Sequence, residues 1–512
     1  MIGNIAGGLF QEAFLFPLPP WACFSIPLTG EPIMHKLCFA LAVILISVAS
    51  HAAASAGEPR HSFQPPSTRT VSGTEIVHFK NGPVPVDLST TTIAALVPNG
   101  TGYNVLSGTG TGSGTFSIPN VPSGFYLLQI GAQYVWTSNT VVDADSIAAY
   151  RSDIVAANPN TTTVSFDLTN LHSWQATDIL ELACPNNNTF EGPFPGTVGE
   201  TTFTGTFPYF GNLSVASEGD QYYVAQLITQ NLGSYVFTGL GRYFAPAKFN
   251  QAQGSNTPID GRLRTVTQNQ KFEANINGAD LTAQALAANP GAVLLSTSAG
   301  LSVYPGSFVH GQNTATTDLI IQQSPPFLTT NGNLGQVSYG DPYPSKWPKI
   351  VAYYWLANTS YTAPGATNSA AMVTYTYGIT LNLPTASSPV KPLVGVVQNP
   401  LVNGKSFFTN QTGVGLTPIL KWSPPSIGTA SHYDVGVYQL VNNAGNTVIV
   451  PVAGFHTQGK SLRIPSGVLS AGQAYVFLVR PWYIPGVSFA KTPFINGSTD
   501  ASADVTSGVM QP

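Results

Sequence analysis

The segment Gly114–Ile130, GTFSIPNVPSGFYLLQI, contains two short apolar runs separated by turn-forming residues. Phe116 and Ile118 alternate with small polar residues, and the second run alternates from Tyr126 to Ile130. Residues two apart on a β-strand point to the same face of the sheet. The Pro- and Gly-bearing stretch between the runs favours a turn. The segment therefore predicts one strand, a turn and a returning strand, each with one buried face.

This pattern resembles the carboxypeptidase regulatory-like and related prealbumin-type sandwich modules, whose core reads Gly-x-Phe-x-Ile-x-x-Val-Pro-x-Gly-x-Tyr-x-Leu-x-Ile. The resemblance covers residues 73–143, and we assign residues 73–163 to such a module. It implies a structural or interaction unit without catalytic residues. The glycine-rich stretch 108–114 lacks the Lys-Ser/Thr ending of a phosphate-binding loop, so we interpret it as a hairpin loop.

Composition extends the β interpretation to the whole chain of 512 residues. Charged residues make up 8% and hydrophobic residues 43%, with 50 Gly and 41 Pro, a mixture that favours strands and turns. The chain is too long for one hydrophobic core. We therefore predict an all-β protein of serial β-sandwich modules. A formal charge of −4 with scattered Lys and Arg argues against nucleic acid and anionic membranes as partners.

The N-terminal region predicts export. Residues 34–56 combine a short basic head, the apolar run Leu37–Val48 and a small-residue end, Ala54–Ala56, which is typical of a signal peptide. Residues 1–33 fit no part of that pattern, and we interpret them as an over-extended start; a membrane anchor formed by residues 1–56 is the alternative. The expected location is secreted, meaning extracellular, periplasmic or attached to the cell surface, with no stable membrane span after cleavage.

Past the cleavage point, residues 57–72 are polar and predict a flexible leader, with order beginning near Gly73. Residues 164–386 match no family known to us, but their short apolar runs predict a central β-rich domain, or two smaller ones. One short helix is predicted there, with Asp280 as N-cap and Leu281–Ala288 as its body, before Asn-Pro-Gly.

A stiff linker is predicted at residues 387–397, followed by a third module at residues 398–512. Three motifs occur in order: PILKWSPP at 418–425, YDVGVY at 433–438 and LSAGQAYVFLVR at 469–480. Together they are similar to a fibronectin type III domain. The resemblance implies that Trp422 and Tyr475 are core residues.

Sequence patterns of catalysis are missing: Gly-x-Ser-x-Gly, His-Glu-x-x-His, Cys-x-x-Cys and an EF-hand loop do not occur. We therefore predict no enzyme, no cofactor and no catalytic, cofactor-binding or metal-binding residue. Cys184, the one cysteine past the predicted cleavage point, is interpreted as a small core residue. The histidines are expected in surface or satisfied polar roles, and the pairs Asp143/Asp145 and Asp178/Glu181 at solvated strand ends.

Aromatic residues reach 11%, and two Pro-rich stretches contain the candidates for ligand contact: Tyr343 and Trp347 in one, Trp482 and Tyr483 in the other. Exposed rings of this kind stack on sugars or fill pockets of protein partners. The alternative is that they close the ends of sandwich cores. We predict a non-catalytic structural or interaction protein at the cell surface or beyond it; the alternative is a carbohydrate-binding or glycan-active protein that uses the central domain.

The cleavage site gives a first testable prediction. If the chain is exported with its leader, the mature N-terminus should be Gly57, after Ala-Ser-Ala, with Ala53 as second choice. N-terminal sequencing or intact mass of the exported protein measures it. An exported product that retains the apolar run would instead indicate the membrane anchor.

Overall fold

The computed structural model describes residues 67–148, 150–306, 308–309, 312–313, 315–322, 329–487, 489, 493 and 500–512. The predicted start extension and signal peptide lie outside these residues. The all-β prediction is confirmed, since the regular structure within the described ranges is almost entirely strand. No helix in those ranges has the length and apolar character needed to cross a membrane.

The first module contains eleven described strands in two main layers. They are β1 Thr68–Thr74, β2 Ile76–Phe79, β3 Gly82–Pro85, β4 Ile93–Pro98, β5 Tyr103–Ser107, β6 Thr109–Gly110, β7 Thr115–Pro122, β8 Tyr126–Ile130, β9 Gln133–Thr137, β10 Val141–Asp143 and β11 Ser146–Ile147. One layer has the order β10-β1-β7-β6 and the other the order β5-β4-β8-β9. Strand β1 begins at Thr68, so regular structure starts before Gly73 and covers the end of the predicted leader.

The buried residues of the first module follow the predicted alternation. Phe116 and Ile118 on β7 point into the same core as Tyr126 and Leu128 on β8. The connection differs from the prediction, because β7 pairs with β1 and β6 whereas β8 pairs with β4 and β9. The turn therefore joins the two layers of the sandwich and does not close a hairpin.

The central region contains sixteen described strands and two helices. They are β12 Thr163–Thr169, β13 Ile179–Cys184, β14 Thr189–Phe194, β15 Phe203–Pro208, the 3-10 helix Ala216–Glu218, β16 Tyr223–Leu232, β17 Tyr235–Phe244, β18 Asn256–Arg262, β19 Arg264–Thr265, β20 Gln270–Asn277, α1 Gly278–Leu286, β21 Val293–Pro305, β22 Phe308–Val309, β23 Gln312–Asn313, β24 Ile320–Gln322, β25 Asn331–Tyr339, β26 Lys349–Tyr361 and β27 Ala370–Thr380. One sheet runs through β14-β13-β16-β17-β24-β21-β26-β27.

Two hydrophobic cores lie within this central region. One is built mainly from residues 164–263, with Phe166 and Trp174, and the other from residues 225–357, with Phe272 and Trp355. The long hairpin of β16 and β17 contributes to both cores, because its strands belong to one continuous sheet. The region thus has two cores under a shared sheet.

Helix α1 occurs where a helix is predicted but begins three residues earlier, at Gly278. Its N-cap is Asn277, and Asp280 lies in the first turn, where the Asn277 side chain donates a 3.1 Å hydrogen bond to it. Ala279 N–H is satisfied by Asn331 Oδ1 at 3.0 Å, so a side chain from β25 provides a partner at the helix start. Tertiary contact therefore sets the start of the helix.

The third module contains the remaining described strands, which form two facing sheets. They are β28 Gln398–Val402, β29 Lys405–Ser406, β30 Gln411–Thr412, β31 Ile419–Ser423, β32 His432–Asn443, β33 Asn446–Thr457, β34 Ser461–Arg463, β35 Ala474–Tyr483, β36 Asp500–Ala503, β37 Val505–Thr506 and β38 Met510–Gln511. One sheet has the order β29-β28-β31-β34; in the other, β32 lies between β33 and β35, and β36 to β38 border β35. Trp422 and Tyr475 are buried in the core between them, as predicted.

The first module packs directly against the third. Ala94, Leu96, Leu127 and Tyr134 belong to the same buried cluster as the core of the third module. These side chains lie on the outer face of the β5-β4-β8-β9 sheet, opposite the module's own core. The edge strand β9 also pairs in parallel with β33, so backbone hydrogen bonding continues from one module into the other.

Residues 387–397 connect the central region to the third module, but they do not form an exposed linker. Val390, Val394 and Val396 are buried, and Val390 exchanges backbone hydrogen bonds with the neighbouring strand β20. Val396 N–H donates to Gln284 Oε1 of α1 at 2.9 Å. Val390 belongs to the core of the central region that contains Trp355, and Val396 belongs to the core of the third module, so the segment is packed against both.

The shared core generates a stability prediction. Replacing Leu127, which is 0% exposed, with Ala should lower the free energy of unfolding by about 2–5 kcal/mol, because a buried leucine side chain is lost and a cavity remains. Leu286→Ala is the matched control, since Leu286 is 41% exposed, and its effect should stay within about 0.5 kcal/mol. Urea denaturation measures both. Equal small effects would contradict burial of Leu127 between the modules.

Candidate functional site

The candidate residues Tyr343 and Trp347 lie in an aromatic cluster of the central region. The cluster, called the tyrosine cluster here, consists of Tyr223, Tyr243, Tyr343 and Trp347. Tyr343 lies at its centre: its ring stacks on Trp347 at 5.8 Å and meets Tyr223 and Tyr243 edge-on at 5.4 and 5.6 Å. Tyr343 is buried and Trp347 partly buried. Tyr343 therefore has little surface for a ligand and belongs to the core, as the alternative interpretation predicts.

Two buried carboxyl groups lie behind the tyrosine cluster. Glu181 on β13 accepts a 2.8 Å hydrogen bond from the backbone N–H of Asp318, and both side chains are almost completely buried. Burial raises the pKa of Glu181 and that of Asp318, and for Asp318 the neighbouring Glu181 charge adds to the effect. Glu181 is thus a buried group and does not lie at a solvated strand end.

An open pocket of about 840 Å³ borders the tyrosine cluster, with which it shares Tyr243. Tyr243 and Phe244 at the end of β17 form part of its lining, opposite Arg262 and Arg264. Asp341, the one carboxylate among its lining residues, pairs with Lys349 at 3.0 Å. We call this feature the arginine pocket. Its size is within the range of small-molecule sites in proteins.

The local sequence Arg262-Leu263-Arg264 explains why two cations share this pocket. Leu263 is completely buried in the core that contains Phe166, and its N–H donates to Thr169 O at 3.0 Å. In extended backbone the neighbours of an inward residue point outward. Both arginines are therefore exposed on the same face.

The position of Phe244 depends on the absence of a side chain at Gly261. The Phe244 ring lies where a Cβ on Gly261 would be, 2.3 Å from the nearest ring atom. A larger residue at position 261 would displace the ring. Gly261 therefore allows Phe244 to pack over strand β18 on its inward face, against the core that contains Leu263.

The candidates Trp482 and Tyr483 lie at the end of β35 in the third module. Trp482 is buried, and its indole N–H donates to Asp434 Oδ2. Tyr483 is partly buried. The burial of Trp482 places it in the core and not on a binding surface, again as the alternative predicts.

Asp434 is the centre of a buried polar cluster between the third and first modules. His456 Nδ1 lies 2.7 Å from Asp434 Oδ1, and His456 Nε2 lies 3.0 Å from Oε1 of Gln133 on β9. Burial alone would raise the pKa of Asp434, but His456 and the hydrogen bond from Trp482 hold it below its usual range. The cluster satisfies a carboxylate in the protein interior and connects the two modules.

His432 lies next to this cluster and has no comparable support. It is buried, and its Nε2 has no hydrogen-bond partner among the described residues. Its ring stacks on Trp482 at 6.1 Å and on Phe489 at 5.6 Å. Burial lowers its pKa to about 3. The expectation of a surface or satisfied polar role is therefore wrong for His432.

The remaining sequence candidates are dispersed. Cys184 is buried in a hydrophobic core, and burial raises the pKa of its thiol to about 12, as expected for a core cysteine. Asp145 accepts hydrogen bonds from Thr74 and lies 3.0 Å from His78 Nε2. No group of metal-binding side chains occurs in the part of the chain that is described. His61 and His310 lie outside the described residues.

The arginine pocket is the feature that sequence reasoning missed. Its signal was present: two arginines flank one leucine in a chain with only 19 Lys and Arg residues. The partner rings, Tyr243 and Phe244, lie about 20 positions earlier in sequence. Only the pairing of Tyr243 with Arg264 across β17 and β19 brings them together.

The burial of His432 predicts a specific pH dependence. Its folded-state pKa, about 3, lies below the ordinary 6.5, so the unfolded chain takes up the proton more readily between these values. The buried His432 therefore does not affect stability above pH 6.5, and it destabilises the fold as the pH falls below that value. His432→Phe, which keeps a stacking ring, should therefore gain about 2 kcal/mol relative to wild type between pH 7 and pH 5.

Urea denaturation of both proteins across this pH range measures the difference, in which the other titrating groups cancel. The control is Tyr433→Phe, which removes no group that titrates between pH 5 and pH 7, because burial raises the pKa of Tyr433 above its ordinary 10; its curve should run parallel to that of wild type. Parallel pH curves for His432→Phe and wild type would show that His432 titrates normally.

No protein-family model matches this chain, and no curated protein matches it. Among solved structures, a Streptococcal ancillary pilin aligns with 60% of this chain and 95% of its own length, at 11% identity and a TM-score of 0.11. A TM-score this low gives the similarity no weight for fold or function.

Proposed function

We propose that this protein is an exported structural protein, secreted or held at the cell surface, whose β-sandwich modules form a rigid scaffold for binding. The observation that carries the proposal is the hydrophobic core shared by the first and third modules. Modules that only follow one another along a chain move relative to each other by default unless their interface is large and apolar. A shared core removes that freedom.

Contacts between the other modules support the same conclusion. Arg151, which follows the last strand of the first module, forms a buried 2.5 Å ion pair with Asp220 of the central region. Tyr361 at the end of β26 donates a 2.8 Å hydrogen bond to Ser507 O of the third module. Strands β27 and β36 pair directly. Each module is thus attached to both of the others, which favours a fixed arrangement.

The family assignments of the terminal modules are part of this proposal. In the third module, Ser470 N–H donates to Tyr475 Oη at 2.9 Å, a contact expected for the tyrosine corner of a fibronectin type III domain. The two-layer strand arrangement of residues 68–143 is in keeping with a regulatory-like sandwich. Both module types would supply structure and surface.

The non-catalytic role is supported by the positions of the carboxylates. A glycoside hydrolase needs two carboxyl groups facing one groove. Glu181 and Asp318 are buried and do not line the arginine pocket, and Asp341, which does, is paired with Lys349. A second candidate function, glycan binding without hydrolysis, is favoured by the open pocket with aromatic and arginine residues.

Export and rigidity can be tested together. The full chain, expressed in a bacterial host, should be recovered outside the cytoplasm, and deletion of residues 34–56 should retain it inside. In hydrogen exchange of the purified protein, strands β8, β26 and β35 should lose protection in one cooperative step with denaturant, because they belong to modules that share cores. Cytoplasmic retention of the full chain, or independent exchange of the three strands, would contradict the proposal.

A further inference from the structure

The arginine pocket has two cations without an anion. None of the ion pairs between described residues includes Arg262 or Arg264, whereas the nearby Asp341 is neutralised by Lys349. Arg242, next to the pocket, donates to Thr265 Oγ1. Two guanidinium groups therefore face the pocket with their hydrogen-bond donors available to a ligand.

The surroundings make this local charge distinctive. Residues 164–386 contain twelve Asp and Glu but only seven Lys and Arg. The pocket is thus a positive spot on a region of negative formal charge. Three of those acids, Glu181, Glu191 and Asp318, are buried with raised pKa values, so the excess of negative charge at the surface is smaller than the formal count. Arg262 and Arg264 remain a local pair of exposed cations, which suits a ligand with one or two negative groups. The electrostatic potential at the arginine pocket therefore favours a compact anion.

The other lining groups define the rest of the ligand. The Tyr243 side chain provides an aromatic ring, and Thr265, Thr267 and Asn269 provide hydroxyl and amide groups. Aromatic faces and polar side chains together suit a sugar ring, which has an apolar face and a rim of hydroxyls. A guanidinium fork matches the planar carboxylate in geometry and charge.

We infer that the arginine pocket binds a carboxylated sugar, of the uronic acid class, with Arg262 and Arg264 holding the carboxylate and Tyr243, the strand partner of Arg264, contacting the sugar ring. This inference deepens the glycan-binding candidate and rests on the proposed function of a binding scaffold. The pocket volume of about 840 Å³ accommodates a short oligosaccharide and does not require a long polymer.

The test uses the purified mature chain and isothermal titration with an oligogalacturonide. The same oligosaccharide with its carboxyl groups reduced to alcohols is the matched ligand control. Binding should be seen for the acid and be at least about tenfold weaker for the reduced form, because charge-assisted hydrogen bonds are lost. Added salt should weaken binding of the acid form but not of the reduced form.

Variants assign the binding to this pocket. Arg262→Ala and Arg264→Ala should each reduce affinity at least about tenfold, and Arg264→Lys should fall between these and wild type, because a lysine keeps the charge but not the fork. Lys271→Ala is the matched control: it removes an exposed cation of the same region that does not line the pocket, and should leave affinity unchanged. Circular dichroism and urea denaturation confirm that each variant folds.

Equal binding of the acid and reduced forms, tighter binding of a sulfated oligosaccharide, or unchanged affinity in both alanine variants would overturn the inference. So would the absence of binding to any of these sugars. None of these results touches export or cooperative exchange, which test the scaffold separately. Failure of the scaffold would instead appear as cytoplasmic retention or as independent exchange of the modules.

Discussion

The arrangement of this protein depends on the burial of both faces of one sheet. In the first module, the sheet β5-β4-β8-β9 places Ala95 and Leu128 in its own core and Ala94 and Leu127 against the third module. Exposed apolar faces of this kind cost free energy in water. The third module covers that face, and the two modules therefore form one packed unit.

This burial also fixes where polar groups must pair. Asp434 and His456 are completely buried where the third module meets the first, so both need partners within the protein. Gln133, at the start of the edge strand β9, provides one partner across the boundary, and the parallel pairing of β9 with β33 holds it there. The polar cluster thus takes its members from both modules and satisfies buried groups at their boundary.

The sequence predicted strands well because alternation is a local property. Phe116, Ile118 and Tyr475 could be assigned to cores from spacing and motif alone, and the structure places them there. What could not be predicted was which surfaces meet. The clue to the shared core was the unbroken apolar run of β4, Ile93–Val97, which indicates burial on both faces. The arginine pocket needed long-range pairing, since no local pattern connects Tyr243 with Arg264.

The low number of charged residues affects both the protein interior and the arginine pocket. Where the chain buries carboxyl groups without a cation, as at Glu191 and Asp500, burial raises their pKa to about 8 and about 7, so the groups are largely uncharged in mildly acidic water. The effective field of the protein is then set by the few charges that stay at the surface. With fewer competing charges, two adjacent arginines have a larger share of that field than they would in an average protein. The low charge that makes the chain look featureless in sequence therefore leaves Arg262 and Arg264 as a distinct local pair of cations on the central region.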